Sequence, residues 1–165
     1  MVDFEQEVIN VFITTRRCII RNFKSDDAGM LYKALSDTEV MQYIEPIFDM
    51  DKTKSFIEEC GMCTPPLVYA VEWSETKEVI GHVICHLYGE NSYELGWVLR
   101  REYWGMGIAD ELTRSLVEYL KGITDYCIIE CDEHQTASAQ IAINNGFECI
   151  GKENGLDIYK LKLQQ

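Results

Sequence analysis

Six consecutive residues, Trp104-Gly105-Met106-Gly107-Ile108-Ala109, place two glycines, one residue apart, directly ahead of a helix-patterned stretch. Two glycines let a backbone turn tightly and let an anion approach the main chain without meeting a side chain. The unpaired N–H groups at the head of a helix, at the positive end of its dipole, then form an anion site. No Gly-Lys-Ser/Thr follows, so this is not a nucleoside-triphosphate loop, and the G-x-G-x-x-G spacing of a dinucleotide site is absent. Local physics alone leaves the ligand open: such a turn suits any phosphate, or none.

Other chemistry-bearing residues are weaker signals. Cys60-Gly-Met-Cys63 has the spacing of a redox dithiol, but it follows a helix-patterned segment and runs into Pro65-Pro66. His82 and His86 share one face of a strand-patterned stretch, yet no third ligand stands at suitable spacing, and no paired element completes a zinc finger. No metal is expected. The seven cysteines are scattered, and four of them (Cys18, Cys85, Cys127 and Cys149) lie in apolar, strand-like stretches where a free thiol packs as a small hydrophobe.

The elements that must position these residues follow from periodicity. Residues 13–23 read as a strand, and Asp26 or Asp27 caps a helix reaching Leu35 with Met30, Leu31 and Ala34 on one face. A short helix carrying Val40, Met41 and Ile44 is expected after Ser36-Asp37, broken by Pro46. A third, from Asp51, buries Phe56, Ile57 and Cys60. Residues 67–73, 79–87 and 93–99 read as an antiparallel meander. In the last of these, Tyr93, Leu95, Trp97 and Leu99 alternate with Glu94, Gly96 and Val98. Ile108, Leu112, Leu116 and Leu120 recur every four residues, predicting a helix over 108–121 with Gly122 as its stop. A strand over 126–131, a helix over 136–145 and strands over 147–152 and 158–163 complete the chain. Strand and helix alternate after Tyr93, so the sheet is partly parallel with crossover helices.

Composition bounds the class. The 165 residues suggest one domain, 1–165, with 1–12 as an N-terminal extension. That extension carries Asp3, Glu5 and Glu7 and no basic residue, unlike a secretory signal, so a reducing, cytoplasmic setting is expected. No apolar run approaches the ~20 residues of a membrane span. Fifteen Lys and Arg against 28 Asp and Glu leave a net charge of −13, which repels nucleic acid and attracts cationic substrates.

With the residues assembled, the chain resembles the GNAT N-acetyltransferases, nearest their ribosomal-protein N-terminal (RimJ/RimL-like) branch. The likeness is carried by Tyr93-Glu-Leu-Gly-Trp-Val-Leu99 followed by Glu102-Tyr-Trp-Gly-Met-Gly-Ile-Ala109. Thr15-Arg-Arg-Cys-Ile-Ile-Arg21, Ser36-Asp-Thr-Glu-Val-Met-Gln-Tyr-Ile44, Ile80-Gly81, Ser138 and Asn145-Gly-Phe147 extend it over most of the chain. The resemblance implies an α+β fold with a mixed central sheet of about six to seven strands, splayed at its middle and flanked by about four to five helices. It implies acetyl-CoA as co-substrate, no metal, and an amine acceptor, either a small molecule or a protein N-terminus. By the same resemblance Trp104, Gly105, Met106, Gly107, Ile108 and Ala109 cradle the pyrophosphate. Val98 and Leu99 take the pantetheine arm, and Gln135 and Ser138 contribute from the last helix. Gly96, through a bulge, is the local candidate for starting the splay.

The chain departs from the family pattern at three points. Met106 replaces the branch's lysine, leaving Arg100, Arg101 or Arg114 to compensate. Gln135 replaces an asparagine, and Ala142 stands where many members have a tyrosine acid. Transfer to an amine needs a base for the ammonium and a donor for the leaving thiolate. Glu94 is the candidate base and Ser138 the candidate thiolate partner. Tyr93 and Tyr103 are alternative donors, and His134 suits either role. Competing readings are a non-catalytic acetyl-CoA-binding regulator and a polyamine or antibiotic acetyltransferase. The oligomeric state stays open, a homodimer included.

Overall fold

The computed structural model describes residues 11–164; the first ten residues of the expected N-terminal extension lie outside the described residues. The chain passes through β1 (Ile13–Thr14), β2 (Cys18–Arg21), α1 (Ala28–Leu35), α2 (Met50–Phe56), β3 (Val68–Trp73), β4 (Val79–Leu87) and β5 (Ser92–Leu99). It continues through α3 (Ile108–Leu120), β6 (Tyr126–Asp132), α4 (Thr136–Asn144), β7 (Glu148–Glu153) and β8 (Leu156–Lys162). The strands form one sheet in the order β1-β2-β3-β4-β5-β6-β8-β7. β1 to β5 are an antiparallel meander, β5 and β6 pair in parallel, and β6, β8 and β7 are antiparallel.

Eight strands appear where six to seven were expected because the first one turns on itself. The Thr15 amide donates to the Cys18 carbonyl at 2.8 Å and the Thr15 hydroxyl oxygen accepts the Cys18 amide at 3.0 Å, folding residues 13–21 into a hairpin. The expected helix over 38–44 is also absent. Asp37 Oδ1 does accept from the Glu39 and Val40 amides, as a cap would. Only turns follow, however, since Pro46 leaves no room to propagate and the Phe48 amide is drawn back to the Leu35 carbonyl at 2.9 Å. The third expected helix starts at Met50, capped by Asp49 on the Lys52 amide, and relaxes into a π turn over Ile57–Gly61.

The alternation in β5 separates two cores. Leu95 and Leu99 are buried on the face covered by α3, with Ile108, Leu112, Leu116 and Leu120. Val98 is buried on the opposite face with Leu31 and Leu35 of α1. Fully burying each of the four α3 residues contributes roughly 1.5–3 kcal/mol. Cys18, Cys85, Cys127 and Cys131 are buried, and burial pushes the Cys85 and Cys127 thiols up to about 12. Cys149, expected inside, is exposed instead: β7 is the outer strand of the sheet and every one of its residues faces solvent.

The feature that matters for function is where the sheet opens. β5 and β6 pair only at Ser92↔Tyr126, Tyr93↔Cys127 and Glu94↔Ile128, and β6 then runs on against β8 to Asp132. The remainder of β5 keeps a partner on the β4 side alone. The expected bulge at Gly96 is absent, because the β4–β5 register runs unshifted from Gly81↔Leu99 to Leu87↔Tyr93. Gly96 instead makes room for Ile84, whose Cδ1 would lie 3.0 Å from an added Cβ. The tightest approach is at Gly81, where a Cβ would fall 2.0 Å from the Val98 carbonyl oxygen.

Candidate functional site

The strands diverge into a cleft of about 620 Å³. One wall is the open half of β5, the floor is the glycine turn and head of α3, and the far walls are the turns at 39–44 and the start of α4. Gly105 and Gly107 have φ of +73° and +77°, left-handed values that side-chain-bearing residues rarely adopt. Gly107 is the N-cap of α3 and supplies no side chain to its amides. The amides of Gly105 through Ala109 have no hydrogen-bond acceptor among the described residues. These free donors at the positive end of a 13-residue helix constitute an anion cradle.

The turn is held from below by a residue whose role sequence reasoning missed. Arg17 Nη2 donates to the Met106 carbonyl at 2.8 Å, while its Nε and backbone amide each donate to Glu111 at 2.9 Å. The Thr15 hydroxyl joins at 2.6 Å. Burial pulls the Glu111 carboxyl upward, but these donors outweigh it and hold it below its ordinary range. The 89 residues between Arg17 and Met106 explain why no local motif announces the contact.

Of the residues expected at the cofactor, Val98, Leu99, Trp104, Gly105, Gly107, Ile108, Ala109, Gln135 and Ser138 all line the cleft. Met106 does not; its side chain is exposed and only its carbonyl is engaged. The Leu99 carbonyl accepts the Trp104 indole N–H at 3.0 Å. Gln135, at the N-cap of α4, accepts the Asp132 amide at 2.9 Å, so the head of that helix has no side-chain cap. The Ser138 hydroxyl, one turn in, makes no hydrogen bond among the described residues.

The remaining candidates divide by position. Glu94 lies outside the cleft lining, where β5 and β6 part, with His86 Nε2 at 2.9 Å from Oε2; that contact raises the His86 imidazole above its ordinary value. Tyr93 packs against the α3 core, whereas Tyr103 lines the cleft beside Trp73. His134 lines it too, beside Tyr43. His82 is buried against Phe56, its Nδ1 has no partner among the described residues, and burial pushes its imidazole down to about 4. Arg100, Arg101 and Arg114 are each committed to a carboxylate: Glu102, Asp37 with Glu39, and Asp110. Cys60 and Cys63 are free thiols at the end of the π turn, and burial raises Cys60.

The pattern described as "Acetyltransferase (GNAT) domain" matches residues 17–148. The uncharacterized N-acetyltransferase YnaD of Bacillus subtilis is 34% identical over 109 residues, 65% of this chain and 64% of that protein's length. The match therefore spans less than two thirds of that relative. A GNAT-family acetyltransferase structure from Bacillus anthracis superposes with a TM-score of 0.85 at 25% identity, covering 92% of this chain and 98% of its own. RimL, a ribosomal alpha-N-protein acetyltransferase solved with coenzyme A, shares the fold at a TM-score of 0.76 and 14% identity, covering 93% and 98%.

Proposed function

The chain belongs to the GNAT acetyltransferase family, and from that premise we propose that it moves the acetyl group of acetyl-CoA to a primary amine by direct attack in a ternary complex. One observation carries the reading: the acceptor-free amides of the 105–109 turn lie at a cleft lined by Gly105, Gly107, Ile108 and Ala109, whose wall is the half of β5 left without a β6 partner. A pyrophosphate satisfies the first, and the amides of a pantetheine arm pair with the second as a peptide strand would. RimL, solved with coenzyme A bound, has the same fold, which supports acetyl-CoA as the co-substrate.

Ser138 is the group proposed at sulfur. Its unbonded hydroxyl, near the head of α4, stabilises the developing thiolate together with the helix amides, and the final proton comes from elsewhere. Glu94, which stands where the strands part, is the carboxylate alternative for accepting the ammonium proton. The acceptor is an amine of net positive charge, which a chain of charge −13 attracts; a protein N-terminus is the branch-like choice and a small amine the other. Calorimetric titration with CoA, followed by an acetylation screen of peptides and small amines, tests the reading. Tight CoA binding with turnover is expected; binding without turnover favours the regulatory alternative.

A further inference from the structure

Only one imidazole among the described residues lines the cleft, and its surroundings are ordered. Asp132 ends β6, and His134 stands two residues on, before α4. Asp132 Oδ1 accepts both the His134 amide, at 2.9 Å, and His134 Nδ1, at 2.8 Å. These two donors, amide first, hold the Asp132 carboxyl below its usual range, so it is an acceptor and Nδ1 carries the proton. Nε2 is left with its lone pair. From the other side of the cleft Tyr43 stacks on the ring, 5.7 Å between centroids and 18° between planes. The ring is therefore fixed in tautomer by one element and in tilt by another, on the same wall as Ser138.

The geometry points to His134 as the group that takes the proton from the incoming ammonium through Nε2, with Asp132 as its positioning residue. This rests on the acetyl-transfer reading above. An ammonium N–H bond breaks toward Nε2, giving an imidazolium beside the Asp132 carboxylate and a neutral amine. The amine lone pair forms the C–N bond at the thioester carbon and the C–S bond breaks. The second proton leaves nitrogen as the amide forms and ends on the thiolate sulfur. The imidazolium returns its proton to water, since 64% of its side chain is in solvent. The other groups facing the ring are Tyr43 and Glu133, the latter held by Lys152 at 2.9 Å. No cation within the cleft lining opposes the imidazolium.

The test has two arms. Nitrogen-15 spectra of the whole protein report the neutral His134 tautomer, and protonation at Nδ1 is expected; protonation at Nε2 overturns the assignment whichever amine is the true acceptor. In turnover from acetyl-CoA to spermidine and to a short peptide with a free N-terminus, His134→Gln should lower kcat about 100-fold. It should also remove the acidic limb of the pH profile, leave CoA affinity unchanged and be partly rescued by added imidazole. Asp132→Asn should cost about tenfold, because an amide can donate to Nδ1 and move the proton to Nε2. An acidic limb that survives His134→Gln and disappears in Glu94→Gln overturns the proposal and gives the proton to Glu94. A wild-type protein that binds no CoA fails the acetyl-transfer reading instead.

Discussion

The two rims of the cleft are built on opposite plans. The floor, residues 105–109, presents main chain: glycine geometry, free amides and a helix head, braced by Arg17, Thr15 and Glu111. The facing rim, residues 39–44, presents side chains on a run of turns, and it is tied down by Arg101 bridging Asp37 at 3.2 Å and Glu39 at 3.1 Å. Tyr43 and Ile44 stand exposed there. A site made of backbone binds what is constant in its ligand and is indifferent to most substitutions. A site made of side chains is where selectivity is written. On the proposed reading, the common co-substrate belongs to the first and the individual acceptor to the second.

Substitutions can break that division. Gly107→Val demands a left-handed valine and puts branched carbon beside the cradle, so CoA Kd should rise at least about 100-fold. Calorimetry measures it, and a small change would put the phosphates elsewhere. Ser138→Ala should lower kcat about 10- to 1000-fold by analogy with losing one oxyanion donor, with the melting temperature unmoved because the hydroxyl holds no structural bond. A lowered melting temperature with normal turnover would make Ser138 structural. Tyr43→Ala should raise the acceptor KM several-fold, about 1 kcal/mol, and leave CoA Kd alone; an equal effect on both ligands would erase the distinction between the rims. Met106→Ala should change neither, since only its carbonyl is used.

Much of this was legible beforehand, for identifiable reasons. The four-residue spacing in α3 and the alternation in β5 survive into the structure because each element buries a single face against a core of its own. The glycine turn was legible because main-chain geometry leaves its mark in residue type. What escaped reading depends on distance in sequence. Arg17 acts on a turn 89 residues away. Cys149 sits in an apolar stretch, but only the strand order reveals that no helix covers it. The turns at 38–44 carry a valid cap and an apolar face, and were lost as a helix to the pull of Phe48 on Leu35. At the site, sequence put Glu94 first as the base and His134 only as a substitute, whereas in three dimensions His134 lines the cleft and Glu94, beside His86, does not.

The two histidines of β4 make the protein a proton-linked system with a stability crest. Folded His82 titrates near 4, below the ~6.5 of an unfolded histidine, so its contribution is complete above pH 6.5 and is lost as pH falls toward 4. Folded His86 is displaced upward by Glu94, so its contribution is complete below about pH 6.5 and is lost as pH rises through its folded value. Unfolding at pH 5 should therefore take up about one proton through His82, while above neutrality it releases protons through His86. Chemical unfolding around neutrality should trace a curve that rises, crests near pH 6.5 and declines, with His82 shaping the acidic side and His86 the basic side.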